Sequence, residues 1–159
     1  MTRCFKEYGL LLALLAVTLG LSGCGKPAVE LANDQIGIRL PDKYSISADI
    51  ADTSAEQERG LSGRASLSAD AGMWFIFNQD GKYPFWMPDM NFAIDIIWVG
   101  SDFKVIEIAD SVQPEPGVAK SQLKRYVNQS PARYVLEVPA GTAKAHKLRA
   151  GSKLELISS

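Results

Sequence analysis

Few side chains in this sequence are equipped for covalent or acid–base chemistry: 159 residues include 2 cysteines and 1 histidine. His146 has no cysteine and no acidic motif around it, whereas a zinc site needs three or four convergent ligands. It reads as a surface or helix-cap histidine. The same scarcity argues against a Ser-His-Asp or Cys-His system, which needs a base held beside the nucleophile. Asn78-Gln79-Asp80-Gly81 lacks the first ligand position and the closing glutamate of a calcium loop, and Asp-Gly suits a turn between strands. Gly60-Leu61-Ser62-Gly63 lacks the Lys-Ser/Thr ending of a phosphate loop. No metal, no cofactor and no nucleophilic catalysis are expected. Acid–base work would fall to carboxylates, with Asp95, Asp89 and Glu115 as the set for a hydrolase or isomerase. A glycosidase pair would stand roughly 5 to 9.5 Å apart across an open groove.

Cys24 has chemistry of another kind. Arg3 and Lys6 precede an apolar run over residues 9–21, followed by Ser22 and Gly23, which is the layout of a secretory signal peptide. That run is too short to span a bilayer, which takes about 20 apolar residues. Leu21-Ser22-Gly23-Cys24 resembles the bacterial lipobox. There the cysteine thiol is diacylglycerylated, the chain is cut just before it, and the new amine receives an acyl chain such as palmitate. Cys4 leaves with the signal and Cys24 is consumed by lipid, so no thiol remains for a disulfide or a redox pair. Several acyl chains on one residue supply the multiple signals that stable anchoring requires.

The aromatic-rich segment Tyr83-Pro84-Phe85-Trp86-Met87-Pro88-Asp89-Met90-Asn91 is where binding chemistry concentrates. Its prolines exclude a central strand, and Trp86 and Met87 suit flat apolar ligands, with Asp89 beside them on the rim of a cleft. The alternative is that Phe85, Trp86 and Met87 plug one end of the fold as core. Asp95 sits on a strand that is otherwise apolar on both faces, so its carboxylate needs a partner. Arg64 and Arg59 are the expected ones, since a guanidinium can bind a carboxylate through two parallel hydrogen bonds. Asp95 then ties the helix block to the strand or forms a polar floor under the cleft.

The elements that must position these residues are mostly strands. Hydrophobic residues make up 47% and charged residues 22% of the chain, and glycine and proline are scattered without a period, which suits one globular domain. Tyr44, Ile46, Ala48 and Ile50 alternate with polar residues, as do Met73, Phe75 and Phe77, then Tyr134, Leu136 and Val138. Residues 92–99 read as a central strand, forming a hairpin with 103–109 across Gly100-Ser101-Asp102. Residues 36–40 and 154–157 read as edge or closing strands. Thr53 and Glu56 make a capping box for a short helix ending at Gly60, residues 141–148 are a second helix, and 114–129 are a long loop. Asn128-Gln129-Ser130 matches a glycosylation triplet, expected to be silent in a bacterial cell. The organisation is a signal over residues 1–23, a lipidated tether over 24–34 that reaches roughly 33 Å when extended, and one domain over 35–159.

Four blocks carry a family likeness: ADTSAEQERGLSGR at 51–64, GMWFIF at 72–77, FWMPDMNFAIDIIWV at 85–99 and PARYVLEVPAG at 131–141. Together they resemble the bacterial and archaeal domain-of-unknown-function 192 family. The resemblance implies a mainly β, compact antiparallel sandwich or barrel-like domain with two short helices, commonly exported, with no established activity. Many members carry Lys after Phe-Trp-Met, where this chain has Pro88.

With a formal net charge of -1, nothing in the balance draws the protein to nucleic acid. The expectation is an envelope lipoprotein that is not an enzyme. It would be a binding or accessory module whose candidate ligand residues are Arg59, Arg64, Trp86, Met87, Asp89 and Asp95. Its partners would be the membrane, through the N-terminal lipid, and an envelope glycan, lipid, peptide or protein. Gly25 lacks the aspartate of inner-membrane retention, which favours the outer membrane in a Gram-negative cell. Replacing Cys24 with Ser should abolish incorporation of labelled fatty acid and release the protein from membranes, and continued labelling would refute the assignment.

Overall fold

The computed structural model describes residues 34–157. The expected signal and the attachment cysteine lie outside them. Among the described residues no helix is long and apolar enough to cross a membrane. The chain runs β1 (Gln35–Arg39), β2 (Ser45–Ala51), α1 (Ser54–Arg59), β3 (Ala71–Gly81), β4 (Pro84–Phe85), β5 (Ile94–Val99), β6 (Val105–Val112), β7 (Tyr126–Val127), β8 (Ala132–Pro139), α2 (Thr142–Ala145) and β9 (Glu155–Ile157). Seven strands form one sheet in the order β6-β5-β8-β3-β2-β1-β9, and β4 and β7 form a separate two-stranded ribbon.

The fold class read from the sequence is observed, as a sandwich-like arrangement without a closed barrel. All neighbours in the large sheet are antiparallel except β2 and β3. A parallel pair cannot be joined by a tight turn, so residues 52–70 cross over the sheet and carry α1 with them. At one corner the sheet's outer strands meet: Lys104 and Lys153 form a bridge, and Leu154 N donates to Phe103 O at 2.9 Å.

Two cores result, one on each face. Ile38, Ile46, Trp74, Ile97, Val99, Leu136 and Val138 fill the inner face of the curl, closed by Ala143 and Leu148. Met73, Phe75, Ile96, Trp98 and Val135 cover the outer face, under Leu61, Phe85 and Met87. Every residue of β5 is buried, as its two-sided apolar pattern requires.

Asp95 is fully buried on the inner face, and the expected arginine pair is not made. Its Oδ1 accepts from Ser111 N at 2.8 Å and Gly141 N at 3.1 Å, and its Oδ2 from Ala143 N at 2.8 Å. Gly141 is the N-cap of α2 and offers no side-chain cap, so Asp95 caps that helix from another strand. Backbone amides thus satisfy the charge that a guanidinium was expected to satisfy.

Other expectations shift by a few residues. Asn78–Gly81 is not a turn: β3 continues through it with a register irregularity against β8, and Arg133 of β8 holds Asp80 at 2.7 Å. α2 stops at Ala145 because Lys147 takes a positive φ of 53°. Leu148 N then reaches Ala143 O, and Lys147 N reaches Lys144 O, the hydrogen-bond pattern of a Schellman terminus with Lys in the glycine place. The 114–129 loop contains a 3-10 turn at Lys120–Gln122 and β7. His146 stacks on Tyr44 at 4.1 Å and sets Nδ1 2.7 Å from Asp42 Oδ2. That bond holds the Asp42 carboxyl below its ordinary value.

Asp95→Asn should lower stability by about 1–3 kcal/mol, since three amide donors then face a group that is uncharged and partly a donor itself. An unchanged denaturation midpoint would show that the cap is dispensable.

Candidate functional site

On the outer face a cleft of about 200 Å³ opens between α1 and β4. α1 forms because Thr53 and Glu56 close the capping box foreseen in the sequence, with Gly60 ending the helix at φ 50°. Gln57 Nε2 docks it on the sheet by donating to Ile76 O at 2.8 Å. The loop after it is tied to the aromatic segment, with Gly63 N donating to Asp89 O at 2.9 Å and Asn91 Nδ2 to Arg64 O at 2.8 Å.

The opposite wall is held by an asparagine. Asn128 is fully buried; its Oδ1 accepts from Tyr83 N at 2.8 Å, and its Nδ2 donates to Gly81 O at 2.9 Å and Ser130 O at 2.7 Å. All its hydrogen-bonding capacity on these partners is internal, which gives the triplet at 128–130 a structural role. Trp98 Nε1 adds a bond to Tyr83 O at 3.2 Å. Tyr83 then stacks on Phe77 with centroids 3.6 Å apart, and Phe85 meets Phe75 edge-on at 4.9 Å.

Glu137 lies in the floor. It is 5% exposed, stands on β8 between Met73 of β3 and Ile96 of β5, and its Oε2 is buried with no hydrogen-bond partner. Desolvation pushes its carboxyl up to about 8, with the Arg64 guanidinium opposing. Arg64 itself is 2.6 Å from Asp49 Oδ2, so it is engaged on β2. Glu137 is therefore largely protonated at neutral pH, a buried acid in an apolar site.

The residues singled out from the sequence divide among several places. Arg59 and Trp86 line the cleft. Asp89 lies just outside, in a shallow depression shared with Arg59, Trp86, Lys120 and Arg125, and pairs with Lys120 at 2.8 Å. That pairing raises the Lys120 ammonium above its ordinary value. Arg125 sits over the Trp86 ring at 4.7 Å. Met87 is core, 2% exposed, because its position turns it toward the sheet while Trp86 faces the opening. Asp95 is on the opposite face, so the expected polar floor beneath the aromatics is made by Glu137 instead. Sequence reasoning missed Glu137 because Tyr134, Leu136 and Val138 set the inward phase of β8, leaving 133, 135 and 137 for solvent. Val135 was the available signal that the second phase is also covered.

Residues 38–156 match the domain-of-unknown-function 192 family, described as uncharacterized ACR. The chain belongs to this family. The four blocks that suggested it converge in space and supply every cleft-lining residue except Tyr83 and Pro84. Among solved structures, a protein of unknown function from Novosphingobium aromaticivorans is 29% identical, with a TM-score of 0.69 over 81% of this chain and 89% of that one. A Sinorhizobium meliloti protein provisionally named a transcription regulator is 24% identical, with a TM-score of 0.72 over 80% of this chain and 97% of that one, and shares the fold. No curated protein matches the sequence.

A carboxyl whose folded pKa lies above its unfolded one destabilises the fold as pH rises. From its ordinary 4.5 to about 8, the unfolded chain is ionised while the folded one retains the proton, so stability is full below pH 4.5 and falls toward pH 8. Glu137→Gln should remove this slope and raise stability by about 3 kcal/mol at pH 7 relative to the wild type, with the two converging near pH 4. Equal midpoints across pH 4–8 would show that Glu137 is solvated.

Proposed function

We propose that this family member is a lipid-anchored, non-catalytic binding module that holds a small ligand, or one group of an envelope glycan, lipid or peptide, in the cleft between α1 and β4. The observation that carries the reading is the cleft itself, a concavity walled by aromatic rings with one unpartnered buried carboxyl in its floor. Binding sites have this make-up, mostly apolar with a few polar groups that fix orientation. The walls are preorganised by the docked α1 and the Asn128 bonds, so binding need not order them.

The carboxylates that the sequence offers for acid–base catalysis are not gathered in the cleft, which favours binding. Asp95 is consumed by three backbone amides on the other face, Asp89 pairs with Lys120 outside the cleft, and Glu115 accepts from Lys124 N at 3.1 Å. The anchor rests on the lipobox at Leu21–Cys24 and places the cleft within a tether's reach of a membrane.

Ser62 lines the cleft mouth and is half-buried, which makes it the position to block. In a fragment screen by NMR, hits should shift the amide resonances of Gly60, Leu61, Trp86 and Glu137. Ser62→Trp should abolish them while unfolding at the wild-type temperature. Hits that ignore this substitution, or a screen with none in the cleft, would overturn the binding reading.

A further inference from the structure

Five aromatic residues, Phe75, Phe77, Tyr83, Phe85 and Trp86, line the cleft. The electron-rich face of an aromatic ring attracts a cation within about 6 Å of its centroid, more strongly where water is excluded. The floor adds a carboxyl group whose Oε2 is buried and has no partner, and Gly60, without a side chain, stands beside it. A Cβ built on Gly60 would stand 3.8 Å from that oxygen and 3.5 Å from Phe75 Cζ, in the space a ligand would use.

These features discriminate among ligand charges. A purely apolar ligand would bury the carboxyl and leave it unsatisfied. An anion would be drawn by Arg59 in the lining but would be repelled by the ionised Glu137 carboxyl in the floor. A cation with carbon substituents satisfies both, since the rings accept its apolar and cationic surface and the carboxylate accepts its charge. Resting on the binding reading above, we infer that the cleft takes a small organic ammonium ion, with its nitrogen directed to the Glu137 carboxylate and its carbon groups against the aromatic rings.

The charges around Glu137 are compatible with this. β3 and β5 present Met73, Phe75 and Ile96 beside it, none of which titrates. Arg64, from the loop after α1, is engaged by Asp49 of β2 at 2.6 Å. α1 sets Glu58 and Arg59 along the cleft, and Tyr83 faces it from the β4 side. Beyond the mouth Lys120 is paired with Asp89.

An ammonium ion favours ionised Glu137, so binding below the carboxyl's pKa must expel a proton. Affinity then rises with pH and levels off above about 8. The test uses the full-length protein in a non-ionic detergent, with choline, butylammonium and 3,3-dimethylbutan-1-ol, the neutral isostere of choline, titrated calorimetrically. Ammonium affinity should increase about tenfold from pH 6 to 7 and about fivefold more from pH 7 to 8, with nearly one proton released per ligand at pH 6 when the titration is repeated in buffers of different ionisation enthalpy. The neutral isostere should bind more weakly and without pH dependence. Glu137→Gln should bring choline down to the level of its isostere and flatten the pH profile. Equal binding of choline and isostere at pH 9, or an unchanged choline affinity in Glu137→Gln, would overturn the inference and leave the cleft a site for neutral ligands. Binding by neither ammonium ion would also overturn it, and the Ser62→Trp comparison would decide separately whether the cleft binds at all.

Discussion

A sheet whose middle strands carry apolar side chains on both faces has to be covered twice. In this protein β5 is buried throughout and β8 through most of its length, and the rest of the architecture follows from that requirement. The inner face is covered by the sheet's own curl, closed by α2. The outer face has no such partner within the sheet, and α1, the loops on either side of it, the β4–β7 ribbon and the 114–130 segment serve as its lid. The parallel β2–β3 connection is the reason a lid exists there, because the crossover has to pass over one face of the sheet to return alongside its neighbour.

A lid assembled from short pieces does not seal completely. Between α1 and β4 it leaves the cleft, and the sheet residue beneath this gap is a glutamate. An apolar residue of similar size at position 137 would cost nothing in desolvation, whereas the buried carboxyl is neutral only because ionising it there is so unfavourable. Burial of a polar group without a partner is uncommon in folded proteins. In a site open to small ligands it acquires a use, because the missing partner can be supplied by what binds.

Rigidity around the gap comes from polar groups that are fully employed. Asn128 joins its own turn at 128–130 to the 81–83 segment, Gln57 fixes the helix, and the capping box fixes its start. On the other face Asp95 joins β5, β6 and α2 through three amides. Apart from the capping box, each of these groups spans elements distant in sequence. They specify how the layers sit together more than they add to the apolar cores.

Much was legible from local pattern. The alternation in β2, β3 and β8, the two-sided burial of β5, the hairpin to β6 and the capping box of α1 each depend on neighbouring residues, whose periodicity and cap chemistry act over one or two turns or a few strand positions. The family likeness also marked the blocks that later converged on the cleft, including Arg59 and Trp86. Tertiary structure decided the partners of the charges and the faces of the sheet. Whether Asp95 meets an arginine or a helix N-terminus depends on which segment arrives on its side, and a single step along the strand reverses that side. The same parity separates Met87 in the core from Trp86 at the opening. It also turns Glu137, one residue out of phase with Leu136 and Val138, from an expected solvent-facing carboxylate into the floor of the site, because only the folded chain brings α1 and β4 across that face.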